Sequence, residues 1–287
     1  MNIYHVNIFG IKLTLKPVAF TINIGSFNWD IYWYGIIIAI GFLGAVLYAY
    51  LNAKRFNVDS DKMVDVILVT TPLAILCARA YYCIFDGEGL TSLSAFFGVG
   101  SHSGFAGLAI YGGVIGALVV GGIMCYIKKI KVLDMFDLTV IGFLIGQGVG
   151  RWGNFINQEA FGSLTGSSFF GMQSENTVKA VGKGLVHPCF LYESVWCIIG
   201  FFLLNYLSKK RRFSGETLLM YCTWYGFGRT FIEILRTDSL MLGGIKVSCL
   251  LSAVICALSA ITLLVSRNKI PAKAEETETP SGDEENV

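Results

Sequence analysis

The sequence predicts an all-α polytopic membrane protein with seven transmembrane helices and a small extracytoplasmic cap. Three observations carry that reading. Only 15% of the 287 residues are charged, where a soluble domain has about 25%. Several apolar stretches reach membrane-spanning length, and mean hydropathy is +0.61. Finally, the lysines and arginines between these stretches sort into alternate loops, as the positive-inside rule requires. A large soluble enzyme core does not fit this charge deficit.

The predicted helices run roughly over 33–51, 63–79, 105–127, 133–150, 189–207, 216–235 and 244–266. Lys54, Arg55 and Lys62 occupy the first loop, and Lys128, Lys129 and Lys131 the third. Lys209, Lys210, Arg211 and Arg212 fill the fifth, while Arg267, Lys269 and Lys273 begin the tail. These basic segments are expected on the cytoplasmic side, with the N-terminus outside and the C-terminus inside. The opening segment has no basic stretch followed by an apolar one, so the first helix is expected to direct insertion itself. Residues 1–270 read as one membrane domain, in which the Gly-, Ser- and Thr-rich loop 151–188 forms a β-containing outer cap. Residues 271–287, with six acids between Glu275 and Val287, read as a disordered cytoplasmic tail.

Cys77, Cys125, Cys197, Cys222, Cys249 and Cys256 fall inside apolar spans, where cysteine behaves as a small hydrophobe. Cys83 and Cys189 lie near the outer face, and the sequence leaves their pairing open. There is no CxxC and no Cys/His spacing suited to zinc, so no metal site and no soluble cofactor are expected. Gly142, Gly146 and Gly150 recur every four residues on one helix face, a spacing that lets two backbones approach. Gly112, Gly113 and Gly116 offer the third helix the same option.

The densest chemistry follows the apolar run 140–149. Arg151, Asn154, Asn157 and Glu159 put a cation, two amides and a carboxylate at a bilayer edge. Such groups are costly there and usually face a protein interior or a substrate path. A second cluster ends the sixth helix, where Arg229, Glu233 and Arg236 at i, i+4 and i+7 are expected to share one face. That ladder retains one positive charge for an anion. Arginine presents a planar donor fork matched to phosphate. Two arginines converging near the outer leaflet therefore suggest a lipid phosphate, with Asn154 adding a neutral donor and Glu159 orienting it. His187, before Pro188 at the start of the fifth helix, reads either as a proton carrier or as a helix-start hydrogen-bonding group. Tyr34, by composition, reads as an interfacial aromatic. A lipid or anion transporter remains the alternative function, although no internal repeat is evident.

These residues carry a resemblance. Gly150–Arg151, Gly153–Asn154–Phe155–Ile156–Asn157 and Glu159 resemble the signature of bacterial prolipoprotein diacylglyceryl transferases. Trp33–Tyr34–Gly35, Tyr111–Gly112–Gly113, His187–Pro188 with Leu191–Tyr192–Glu193, and the Arg229/Glu233/Arg236 face follow in that family's order. The resemblance implies transfer of diacylglyceryl from phosphatidylglycerol to the lipobox cysteine of preprolipoproteins, with glycerol phosphate leaving, at the outer face of the bacterial cytoplasmic membrane. Membrane lipids are implied as partners, and nucleic acid is not. Arg151, Asn154 and Arg229 would bind the lipid phosphate, with Arg236 supporting Arg229 through Glu233. Tyr34 and Tyr111 would complete the polar wall, and the thiol proton would go either to the Tyr111 hydroxyl or to another group such as His187 or Glu159. Many relatives place histidine where this chain has Tyr111, which leaves the base for the thiol open.

Overall fold

The computed structural model describes residues 3–24, 27–86, 93–97, 107–237 and 241–270. The acidic tail expected at 271–287 lies outside the described residues. The chain is mostly helical. Two β-hairpins open it: β1 (Tyr4–Ile8) with β2 (Ile11–Leu15), and β3 (Val18–Ile24) with β4 (Phe27–Tyr32). Helices α1 (Trp33–Asn52) and α2 (Ser60–Asp86) follow, then the short α3 (Leu93–Phe96) and α4 (Ile110–Ile127). Next come α5 (Val132–Asn157), strand β5 (Met172–Gln173), α6 (Glu175–Val181), α7 (Cys189–Leu207) and α8 (Glu216–Leu235). Strands β6 (Met241–Leu242) and β7 (Ile245–Lys246) form a third hairpin before α9 (Val247–Lys269).

Among the described residues, seven long helices stand near the apolar stretches, and six of them are long and apolar enough to cross a membrane. The exception is α8, whose Glu216, Arg229 and Glu233 dilute its apolar character. Three boundaries differ from expectation: α4 starts at Ile110, with residues 107–109 outside the helix, where the expected start is near 105. Helix α2 runs to Asp86, through Arg79, whose Nε donates to the Phe96 carbonyl at 2.9 Å. Helix α5 runs two turns past Gly150, so Arg151, Asn154 and Asn157 are helical residues and not the start of a loop. Their polar groups bond within the protein, so nothing forces the helix to end at the last apolar residue.

Helix α5 is central, packing against α1, α7 and α8, while α2 pairs with α4 and α8 with α9. The glycine reading holds best at Gly142, where a Cβ would sit 2.9 Å from the Ala45 carbonyl of α1. Gly112 and Gly116 likewise meet Tyr81 and Cys77 of α2, whereas nothing lies within 4 Å of a Cβ on Gly150. Between α7 and α8, Trp196 and Trp224 stack with ring centroids 4.1 Å apart. Each indole N–H donates to the other residue's carbonyl, at 3.0 and 3.1 Å.

One apolar core runs through the bundle around Phe56, Met63, Leu138, Ile141, Leu144 and Leu204. A second joins Val6, Met172 and Val186 to Phe155 of α5 and Phe190 of α7. Through it, β1, β5 and α6 sit over the end of the bundle that carries Arg151. Residues 158–188 thus supply a strand and a short helix, but two of the three strands of this sheet come from residues 4–15, a contribution the sequence reading did not assign.

The basic loops gather at the opposite end. Arg211 Nη1 reaches Asp134 and Asp137 at 2.8 Å each. Asp137, fully buried, also accepts the backbone N–H groups of Gly215 and Leu218 at 2.7 Å, capping the start of α8. Arg267 Nε pairs with Glu216 at 2.5 Å. Asp137→Ala removes the cap and half the anionic charge facing Arg211. Breaking a buried pair this way costs about 3–5 kcal/mol, so a clear drop in the thermal midpoint of purified protein is expected, larger than for exposed Asp61→Ala.

Candidate active site

At the Arg151 end, one carboxylate organises three helices. Glu193 lies one turn into α7 and its side chain is 3% exposed. Its Oε2 is 2.6 Å from Arg151 Nη2 of α5, and its Oε1 is 2.5 Å from Arg229 Nη1 of α8. Arg236 Nη1 approaches the same Oε1 at 3.6 Å. Arg229 Nη2 also meets Glu233 Oε2 at 2.6 Å, one turn along α8. Glu193 Oε2 and Glu233 Oε2 touch guanidinium nitrogens at ion-pair distance without hydrogen-bond alignment. Guanidiniums from α5 and α8 thus converge on two buried carboxylates, and buried charge is tolerated only when paired in this way.

The expected ladder along α8 is therefore partly replaced by a bridge between helices. Arg236 is the C-cap of α8, with φ −69° and ψ 145°, so it has left the helix and does not continue the i, i+4, i+7 face. Its side chain turns to Glu193 of α7. Tyr225, one turn before Arg229, faces Arg151, Glu193 and Arg229.

A second chain of contacts leads from Arg151 to the exposed edge. Arg151 Nη1 donates to Asn154 Oδ1 at 3.3 Å, and Asn154 Nδ2 donates to Glu159 Oε1 at 2.9 Å. Asn157 Nδ2 reaches the same oxygen at 3.5 Å. The end of α5 makes this possible. Gln158 adopts the left-handed conformation at φ 53°, and Glu159 N donates back to the Asn154 carbonyl at 3.1 Å. This is a Schellman-type termination, and it folds Glu159 beside Asn154. The amide of Gln158 is buried and donates to the Phe155 carbonyl, which secures a conformation that side chains other than glycine rarely adopt.

Tyr34, at the start of α1, packs flat on Gly153. A Cβ there would lie 2.5 Å from the ring. Arg151, Asn154, Glu159, Tyr34, Arg229, Glu233 and Arg236 are thus brought together. The two remaining candidates have other side-chain partners. His187 Nδ1 contacts the Tyr192 hydroxyl at 3.1 Å, and Phe170 stacks on that tyrosine. Tyr111, about two-fifths exposed on α4, meets Ser248 Oγ of α9 at 3.4 Å. Cys83 and Cys189 are both buried and are not joined in a disulfide. Among the described residues, no group of three His, Cys, Asp or Glu side chains is placed to hold a metal.

Sequence reasoning gave Glu193 and Tyr225 no role. The signal for Glu193 was present: a carboxylate one turn inside an apolar helix costs about 2.5–3.5 kcal/mol to insert, which demands a partner. Nothing in the sequence says which cation supplies it.

The profile of the family described as prolipoprotein diacylglyceryl transferase matches residues 17–265. A phosphatidylglycerol–prolipoprotein diacylglyceryl transferase of Limosilactobacillus reuteri (strain DSM 20016) is 40% identical over 270 residues, covering 91% of this chain and 94% of that protein. Similarly named proteins of Pediococcus pentosaceus and Clostridium novyi are 42% and 38% identical, each over 89% of this chain and over 91% and 97% of their own length. By the matched profile and by these relatives, the chain belongs to the prolipoprotein diacylglyceryl transferase family.

Proposed function

We propose that this protein transfers the diacylglyceryl group of phosphatidylglycerol to the lipobox cysteine thiol of preprolipoproteins, the first step of lipoprotein maturation. The observation that carries the proposal is the convergence of Arg151 and Arg229, from two helices, on Glu193 beside Asn154. The cysteine sulfur attacks the diacylglyceryl carbon that bears the phosphate. A carbon–sulfur bond forms, the carbon–oxygen bond breaks, and glycerol phosphate departs with the electron pair. Arg151 and Arg229 stabilise the charge growing on that phosphate, as preorganised donors do in low-dielectric sites. The same field favours the thiolate, whose parent thiol has a reference pKa of about 8.5. Arg236 and Glu233 hold Arg229 and Glu193 in place, and Tyr34 and Tyr111 form part of the wall.

Of the two proton carriers, Glu159 is the better connected. It is exposed and coupled to Arg151 through Asn154, whereas His187 is engaged by Tyr192. For the membrane, the proposal is seven spans including α8, the N-terminus outside, the C-terminus cytoplasmic, and the site at the outer leaflet. Residues 158–188 with β1 then form an outer cap. The basic end around Arg211 supports this orientation under the positive-inside rule.

The test is transfer of labelled diacylglycerol from phosphatidylglycerol vesicles to a lipobox peptide by purified protein, with a cysteine-to-serine peptide alongside. Cysteine-dependent labelling with release of glycerol phosphate is expected. Absence of labelling by folded protein would turn the reading to lipid transport. In the same assay Gly153→Ala pushes the Tyr34 ring from its seat. Overpacking of this kind costs about 1–3 kcal/mol. Transfer is expected to fall roughly tenfold or more, since misplacement by about 1 Å is costly in rate, while the protein still purifies folded.

A further inference from the structure

We infer that Lys246 is a positioning residue for the Arg236–Glu193 side of the site, acting by capping the end of α8. The inference rests on the transfer reading above. The β6–β7 hairpin turns the chain back immediately before α9 and lays Lys246 across the last turn of α8. Lys246 Nζ donates to the carbonyl oxygens of Glu233 at 2.9 Å, Ile234 at 3.0 Å and Arg236 at 2.6 Å. An ammonium has three protons, and each has a carbonyl here. The remaining carbonyl of that stretch, Leu235, accepts Ser163 N–H at 2.8 Å.

The end of a helix normally leaves its last carbonyls without intrahelical donors. In apolar surroundings such groups are costly to leave unbonded. Carbonyls 233 to 236 are all satisfied from outside the helix, three of them by a single side chain. A cation is also the charge that the negative end of the helix dipole prefers. Both site residues at this end depend on that backbone. Glu233 lies in the last turn, and Arg236 is the first residue outside it, sending its guanidinium back to Glu193. With its protons committed to carbonyls, Lys246 acts through these two residues and not on the phosphate. A second tie between the same helices, Cys249 Sγ to the Thr230 carbonyl at 3.6 Å, keeps α9 registered on α8.

The test compares full-length wild type, Lys246→Met, Lys246→Arg, Arg236→Gln and the double variant Lys246→Met/Arg236→Gln in phosphatidylglycerol nanodiscs. Kinetics with the lipobox peptide are measured beside amide exchange by mass spectrometry. Lys246→Met keeps the apolar stem and is expected to lower kcat roughly 10- to 100-fold, the scale of a small geometric misplacement, with KM for the lipid changed less than about threefold. Exchange should rise in the peptide covering 233–237 and stay unchanged at the Arg211 end. Lys246→Arg, which retains donors and charge, should recover most of kcat. The double variant should lose little beyond Arg236→Gln alone, as expected of residues acting through one another. A Lys246→Met kcat within about twofold of wild type would overturn the inference. So would equal losses in Lys246→Met and Lys246→Arg accompanied by faster exchange throughout the molecule, or fully additive losses in the double variant. Wild-type activity in the same run separates failure of this inference from failure of the transfer reading.

Discussion

Glu193→Ala is expected to abolish transfer and to lower stability more than any other single change at the site. The side chain is 3% exposed and binds Arg151 and Arg229 directly, with Arg236 at 3.6 Å. Its loss takes away the carboxylate that Arg151 and Arg229 share. Removing one partner of a buried pair costs about 3–5 kcal/mol, a large part of the roughly 5–15 kcal/mol that holds a typical protein folded. Because α5, α7 and α8 share this carboxylate, the damage should spread across their interface. Glu193→Gln separates charge from packing. It keeps the volume and an acceptor, so it should purify better than the alanine variant, yet it removes the negative charge that Arg151 and Arg229 share. The measurement is thermal unfolding of both variants beside transfer by the folded fraction. A Glu193→Ala protein with near-native midpoint and activity would remove Glu193 from the centre of the site.

Arg151→Ala is expected to affect rate far more than stability. Glu193 keeps Arg229, so no carboxylate is stranded, and the alanine variant should insert and purify normally. What disappears is a donor aimed at the leaving phosphate and the link from the ion pairs to Asn154 and Glu159. Loss of one such preorganised donor costs about 10²–10³ in kcat. Arg151→Lys should recover little, because a single ammonium cannot serve Glu193, Asn154 and a phosphate with one planar fork. Steady-state transfer in phosphatidylglycerol vesicles gives the answer. Unaltered activity in Arg151→Ala would refute the phosphate assignment.

The helices were legible because apolar runs of spanning length leave little alternative. Strands β1–β4 were not, since each has only five to seven residues and their pairing depends on turns and on contacts with α5 and β5. The end of α5 was misread for a physical reason. Arg151 and Asn154 look like a loop when polarity is counted residue by residue, but their partners sit on α7 and at Glu159. At the site, residue identities were visible and pairings were not. Arg229 was expected to be neutralised along its own helix, and Glu233 does so in part. The stronger organiser, Glu193, is 36 residues away in sequence and becomes a neighbour only when α7 packs on α8. Local spacing reports contacts within a helix, whereas contacts between helices require the packing itself.

The shared carboxylate also bears on biogenesis. Helix α8 is the one long helix not apolar enough to count as a span by itself, and Arg229 is part of the reason. The ribosome delivers α5 with Arg151 first, then α7 with Glu193, and only then α8. From α7 onward, a counter-ion for each of these charged helices is already synthesised, and the order of the genetic message doubles as an order of charge neutralisation. Relocating Glu193 to a later segment would preserve the final set of ion pairs on paper while leaving Arg229 without that partner when α8 is made.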